Sequence, residues 1–222
     1  MAIAFLQKVK GTYESDNSRP GQPIVRVVMF NLPIVNTDVA KIRGLYSLRS
    51  ANLSGCKITA GALVHFKELT NLTELDLSDT KIAGGGMNHL AGLTNLTNLN
   101  LKNTKLSGDD IAPLAGLVEL RTLNLSGTGM NDAGLPFLKG LKNLETLDLT
   151  NGKVTDAGLL HLREVPSLSK LILTGTKISK TGLENLKGIP NLAVVNLHGT
   201  KVTQDEAEKL KPSFTMNTLF EF

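Results

Sequence analysis

Leu144-Glu145-Thr146-Leu147-Asp148-Leu149, continued by Val154-Thr155-Asp156-Ala157-Gly158-Leu159, is one copy of a unit that recurs every 24 residues from Ile24 to Thr215, eight times, without insertion or deletion. Aligned on it, the first position is Ile24, Leu48, Leu72, Leu96, Leu120, Leu144, Leu168 and Leu192. The fourth is Val27, Ala51, Leu75, Leu99, Leu123, Leu147, Leu171 and Val195, and the sixth is Met29, Leu53, Leu77, Leu101, Leu125, Leu149, Leu173 and Leu197. A unit this small cannot bury its apolar side alone, so a fixed short period dictates stacking of neighbours into an elongated solenoid.

Each position has a physical reading. The fourth and sixth alternate with polar residues, the period of a strand with one buried face. An apolar eleventh position (Ile82, Leu106, Met130, Val154, Ile178) returns the chain to the core. Apolar sixteenth and nineteenth positions, such as Leu135/Leu138 and Leu159/Leu162, have helical i, i+3 spacing and predict a short helix or helical turn against the strand. Ser or Thr at position twelve (Thr59, Ser107, Thr155, Ser179, Thr203) reads as its N-cap, with Thr203 and Glu206 as a capping box. Gly at position twenty-one (Gly44, Gly92, Gly116, Gly140, Gly188) reads as a left-handed C′ residue.

Over about nine-tenths of its length the chain resembles the leucine-rich repeat superfamily. Its units are most similar to the cysteine-containing, ribonuclease-inhibitor-like type, Leu-x-x-Leu-x-Leu-x-x-Cys followed by Ile-Thr-Asp-x-Gly-Leu. Cys stands at position nine only as Cys56; Thr80, Thr104, Thr128, Thr176 and Thr200 take its place, with Leu32 and Gly152 as exceptions. This Thr-bearing form is similar to repeats of bacterial proteins of unknown function. The resemblance implies an α/β fold: a curved, right-handed solenoid with a parallel sheet on the concave face and short helices on the convex face. It implies no particular chemistry, because one fold hosts many functions.

A solenoid exposes its core at both ends unless they are capped. Residues 1–23 are expected to form the first cap, a helix containing Ile3, Phe5, Leu6 and Val9 and a strand over Thr12 to Asp16 turned by Ser18-Arg19-Pro20-Gly21. Residues 24–215 are the repeats, and 216–222 form the second cap or tail. Phe214, Met216, Leu219, Phe220 and Phe222 read as a lid over the eighth repeat, or as an apolar tail for a partner. A net charge of +4 is too mild to call for nucleic acid, and no apolar run would span a membrane, so neither nucleic acid nor a membrane is expected as a partner. One Cys makes no internal disulfide, and Met1 to Lys10 lacks the basic segment and cleavage site of a signal peptide. A cytoplasmic monomer is the default expectation, with an exported form whose signal has been removed left open.

Recognition is expected on the concave face, at positions two, three, five, seven and eight. Position five is the most regular: Val28, Asn52, Asp76, Asn100, Asn124, Asp148, Ile172 and Asn196. Asn and Asp are poor strand formers, so the row reads either as a structural amide ladder or as a polar recognition strip. Acidic residues (Glu74, Asp76, Asp79, Glu145, Asp148) balance basic ones (Arg26, Arg49, Lys102, Arg121, Lys170) on this face. Apolar residues gather at its ends, Val28 and Phe30 at one, Ile172, Ala193 and Val194 at the other. The candidate contact set is Phe30, Asn52, Asp76, Asn100, Lys102, Asn124, Asp148, Ile172, Asn196 and His198. A second ladder, Lys57, Lys81, Lys105, Lys153, Lys177 and Lys201 at position ten, either keeps one edge soluble or forms a rim for an anionic partner.

Catalytic candidates are thin. His65, His89 and His161 share position eighteen and read as surface histidines, since no carboxylate or thiol completes a metal site. Cys56 is expected to be buried and unreactive. Asp109-Asp110 suits a helix start, and Gly84-Gly85-Gly86 lacks the Lys-Ser/Thr of a phosphate loop and reads as a loosened helical turn. No cofactor, metal or small-molecule substrate is expected, and no enzyme. The reading is a protein-interaction module with a macromolecular partner; the alternative is a scaffold or spacer within a larger protein.

Overall fold

The computed structural model describes residues 2–214 and 218–222. The strands form one open ten-stranded sheet in sequence order: β1 (Thr12–Ser15), β2 (Ile24–Val28), β3 (Ser50–Asn52), β4 (Glu74–Asp76), β5 (Asn98–Asn100), β6 (Thr122–Asn124), β7 (Thr146–Asp148), β8 (Lys170–Ile172), β9 (Val194–Asn196) and β10 (Leu219–Glu221). β1 pairs antiparallel with β2; the later pairings are parallel. The constant period sets the register: each residue faces its equivalent one repeat on, as in Ser50↔Glu74↔Asn98↔Thr122.

Positions one, four, six, eleven, sixteen and nineteen stack into one continuous core of buried aliphatic side chains, running from Phe5 and Leu6 to Phe214 and Phe220. At position nine the buried hydroxyls of Thr80, Thr104, Thr128 and Thr176 donate to the position-six carbonyl of their own repeat at 2.6–2.7 Å. That bond lets a polar group sit inside the stack without a desolvation penalty. Cys56 at the same position donates its Sγ–H to the Met29 carbonyl at 3.0 Å, and burial pushes its thiol up to about 11.

The convex segments are short. Among the described residues six are 3-10 helices, including Gly108–Gly116 and Asp132–Gly140, which carry Pro113 and Pro136, and the short Lys211–Ser213; Asn36–Val39, Lys180–Asn185 and Gln204–Leu210 are α-helical.

The corner that ends each strand corrects the reading of the glycines. Position eight takes a left-handed backbone in all eight repeats: Asn31, Gly55, Asp79, Asn103, Gly127, Asn151, Gly175 and Gly199. Only Asn, Asp and Gly occupy it, the residues that tolerate this region. At position twenty-one, by contrast, Gly188 alone has positive φ; Gly44, Gly92, Gly116 and Gly140 do not. The chain leaves four of those helices without a left-handed cap.

The N-terminal helix spans Ala2–Lys8 and packs Phe5 and Leu6 onto the first repeat. At the other end β10 lies 25 residues after β9, pairing Leu219 with Val194. Phe214 and Phe220 close over the last repeat edge-to-face, ring centroids 5.3 Å apart, whereas Leu219 and Phe222 stay exposed; Met216 lies outside the described residues.

Candidate interaction face

The parallel register draws position five into a single line across the sheet: Val28, Asn52, Asp76, Asn100, Asn124, Asp148, Ile172, Asn196 and, on β10, Glu221. The Asn and Asp side chains of that line are engaged. Each turns its Oδ1 back to accept the backbone N–H two residues on: Ser54, Ser78, Lys102, Ser126, Thr150 and His198, at 2.9–3.1 Å. This is the Asx-turn chemistry that lets Asn and Asp compete with a regular ladder, and it bends the chain off the strand toward the left-handed corner. Neighbouring rungs are tied as well, Asn100 Nδ2 donating to Asp76 Oδ2 at 3.2 Å and Asn196 Nδ2 to Glu221 Oε2 at 3.1 Å. The side chains are half-buried, so their amide edges still reach solvent.

Of the remaining candidates, Phe30, Lys102 and His198 occupy position seven and are exposed, Phe30 at 57%. Ile172 is half-buried beside Asp148 and Asn196. The structure thus places all ten candidates on one sheet face or its border, with Phe30 and the Ile172–His198 group at opposite ends.

The row with the most freedom is position three. Arg26, Glu74, Asn98, Lys170 and Leu219 are exposed there, and Ser50, Thr122, Thr146 and Val194 half-exposed. Glu74 is steadied by the Ser50 hydroxyl at 2.9 Å, and Arg26 sits 4.0 Å from Glu14 on β1. Between rows three and five lies an open depression of about 320 Å³ bordered by Arg26, Ser50, Glu74, Asp76, Asn98 and Asn124. One charge pair of this face is closed internally, Arg121 with Glu145.

Position eight, counted above among recognition positions, is instead the corner of the turn. Its side chains pack along the solenoid: Asp79 Oδ1 accepts from Asn103 Nδ2 at 2.8 Å, and a Cβ on Gly55 or Gly127 would fall within 2 Å of the preceding Asn31 or Asn103 side chain. The restriction to Asn, Asp and Gly is the sequence signal from which this role could have been read.

Position twelve is the N-cap residue at Thr59, Ser107, Ser179 and Thr203, with Thr203 and Glu206 forming the expected capping box, but at Thr155 it is not, and several of these residues also bind the preceding repeat. The Thr155 N–H and hydroxyl both donate to Asp132 of the preceding repeat, at 2.7 and 2.5 Å, and the following 3-10 helix is capped at Ala157. Ser179 is gripped in the same way by Asp156, whereas the Thr59 N–H donates to Asn36 Oδ1 and the Thr59 hydroxyl accepts from Asn36 Nδ2. A further ladder that the sequence left unread runs at position twenty-four, where Asn71, Asn95, Asn191 and Ser167 donate to a carbonyl of the preceding repeat at 2.7–2.9 Å. The six position-ten lysines are exposed, and no ion pair involves them among the described residues. No group of three or more His, Cys, Asp or Glu among the described residues is placed to hold a metal, and no helix is long and apolar enough to cross a membrane.

A family model described as "Leucine rich repeat" matches residues 70–130, and one described as "Leucine Rich repeats (2 copies)" matches residues 118–161. No curated protein matches the chain. Among solved structures, internalin C2 of Listeria monocytogenes superposes with a TM-score of 0.69 at 26% identity, covering 89% of this chain and 80% of that one. A leucine-rich repeat protein of Leptospira interrogans gives 0.66 at 22% identity over 82% of this chain, which spans 45% of the Leptospira protein. A second Listeria internalin, of the F type, gives 0.56 at 19% identity, covering 99% and 74% of the two chains. The latter two show likeness of fold alone. Repeat period, parallel register, helical outer segments and these matches agree: the chain is a leucine-rich-repeat solenoid.

Proposed function

We propose that the chain is a protein-interaction module that receives a macromolecular partner on its concave sheet face, through the exposed side chains of positions three and seven flanked by the half-buried position-five row. The supporting observation is the contrast between repeated and unrepeated positions on one frame. Positions that hold the solenoid together are filled alike from repeat to repeat. Position three reads Arg26, Ser50, Glu74, Asn98, Thr122, Thr146, Lys170 and Val194, seven kinds of side chain on eight rungs. Such a surface has a distinct pattern of charge, hydrogen bonding and apolar contact along its length, which is what selective recognition requires. The leucine-rich-repeat architecture fits this role, since such domains generally serve protein–protein interaction.

The engagement of the position-five oxygens in turns favours a second reading, a scaffold whose polar ladder is purely structural. Substitutions at position three separate the two, because these side chains do not cap the turns. Glu74→Arg, Asn98→Arg and Lys170→Asp together are expected to abolish retention of a partner captured by the wild-type chain, with the unfolding midpoint preserved. Capture of the same set of proteins by both forms would discard the module reading and leave the scaffold.

A further inference from the structure

The net charge of +4 is not spread along the solenoid. Residues 1–70 hold nine Lys and Arg against four Asp and Glu, while residues 71–222 hold fifteen against sixteen. The cationic excess therefore belongs to the N-terminal cap and the first two repeats. That region also carries exposed apolar side chains off the concave face: Ile3 at 45%, Tyr46 at 63% and Val64 at 41%.

Two open depressions join them. One, of about 530 Å³, is bordered by Ile3, Pro23, Lys41, Arg43 and Tyr46; the other, of about 390 Å³, shares Arg43 and Tyr46 and adds Val64 and Lys67. Among the described residues Glu68 is the only acid bordering either, and it is 3.6 Å from Lys67. Lys41 Nζ lies 5.3 Å from the centre of the Phe5 ring, and neither Lys41 nor Arg43 is in an ion pair among the described residues.

We infer that this end of the molecule docks peripherally on an anionic lipid surface. Protruding apolar side chains ringed by unpaired cations are what such a surface binds: the apolar groups enter the head-group boundary while Lys and Arg meet the lipid phosphates. A Tyr between the two suits the membrane–water boundary, its ring apolar and its hydroxyl polar. The position-ten lysines carry charge of the same sign, but Lys153 and Lys177 belong to residues 71–222, the part of the chain without net positive charge. Docking by the cap and the outer side of repeats one and two leaves the concave sheet face open, so the inference stands independently of the partner proposed there.

Sedimentation of the full chain with vesicles tests it. Vesicles of one-quarter phosphatidylglycerol in phosphatidylcholine are expected to carry the protein down at about 50 mM salt and to release it at about 300 mM, and pure phosphatidylcholine to carry none. Each cation near such a surface is worth about five-fold in binding, so Lys41→Gln with Arg43→Gln is expected to weaken it about 25-fold. Ile3→Ser with Tyr46→Ser is expected to abolish it at unchanged charge. Lys153→Gln with Lys177→Gln, which removes the same charge elsewhere, is expected to bind as wild type. Unfolding midpoints show that each variant is folded. No sedimentation with the anionic vesicles at low salt overturns the inference. So does equal loss in the Lys153/Lys177 variant, or full binding by the Ile3/Tyr46 variant.

Discussion

The junction between repeats three and four and the junction between repeats five and six place a carboxylate at the same spot but draw it from opposite sides. At the later junction Asp132, at position thirteen of repeat five, reaches forward to the N–H and hydroxyl of Thr155, and the residue beside it in repeat six is Gly158, where a Cβ would lie 2.2 Å from Asp132 Oδ1. At the earlier junction position thirteen is Gly84, and the carboxylate comes from Asp110 within repeat four, accepting from the Ser107 N–H at 2.7 Å and its hydroxyl at 2.8 Å. A Cβ on Gly84 would lie 1.5 Å from Asp110 Oδ1. Asp with Gly at one junction becomes Gly with Asp at the other. Asp156 with Gly182 repeats the forward form at the next junction. A carboxylate donated by a neighbour couples two repeats, whereas one donated by the same repeat stabilises that repeat alone. In a one-dimensional array these are different quantities, an interface term and an intrinsic term.

The core beneath both junctions sets the scale. Leu125 is fully buried between them, and Leu125→Ala is expected to cost about 2–5 kcal/mol in urea denaturation, by lost transfer energy and a residual cavity. Thr122→Ala on the solvent side of the same repeat is expected to cost under about 0.5 kcal/mol. Equal costs would mean that stacking of aliphatics does not dominate either region, and the comparison of carboxylates would lose its frame.

The next effect in size comes from putting two carboxylates at one junction. Gly84→Asp forces a second side chain onto Asp110 and is expected to destabilise by about 2 kcal/mol through overpacking and like charge. Adding Asp110→Gly is expected to restore most of that stability, because the double variant has the arrangement found at Asp132 and Gly158. Additive costs in this double-mutant cycle would show that the two positions do not compete for one site.

How much of this was legible in the sequence differs by kind of interaction. The 24-residue period, the stacked Leu positions and the concave placement of the Asn row follow from side-chain periodicity, which is local and repeated eight times. The left-handed corner was legible as well: Asn31, Gly55, Asp79, Asn103, Gly127, Asn151, Gly175 and Gly199 share the one property of tolerating positive φ. Reading position eight as surface and position twenty-one as the left-handed cap assigned the backbone role to the wrong glycines. Thr155 marks the limit of local reading. Position twelve preceding a helix looks like a cap, but its partner Asp132 is 23 residues earlier, and only the register between repeats brings the two together. The role of Gly158 follows from that partner and not from its own helix. The position-five row was visible while its function was not, since an Asn that caps a turn and an Asn that awaits a ligand have the same sequence.

Smaller effects separate coupling from intrinsic stability. Asp132→Ala and Asp110→Ala each remove a charged acceptor from an exposed pair of donors, and each is expected to cost about 1 kcal/mol. Their cooperativity is expected to differ. Loss of Asp132 weakens the link between repeats five and six, so hydrogen exchange of β7 to β9 is expected to accelerate apart from that of β3 to β6. Loss of Asp110 lowers the stability of repeat four without uncoupling its neighbours, and exchange is expected to rise uniformly. Matching exchange patterns in the two variants would remove the distinction between neighbour-donated and self-donated carboxylates.

The mildest expected effect lies at Glu206, the self-donated carboxylate of repeat eight. It accepts from the Thr203 N–H and hydroxyl at 3.0 Å, and these bonds, with a smaller attraction from Lys180 at position thirteen of repeat seven, hold its carboxyl below the usual range. A carboxylate whose folded pKa is depressed adds stability that is fully present above its unfolded value of 4.5 and is lost as the pH falls through the lowered folded value. The difference in unfolding midpoint between the wild type and Glu206→Gln is therefore expected to be constant from neutral pH down to about 5 and to shrink below about 4. Half-exposed, Glu206 is expected to show a small difference, which added salt reduces only in the part owed to Lys180. If salt removed the whole difference, the cation across the junction would be the main source of stabilisation, and repeat eight would join repeats six and seven as coupled through its neighbour.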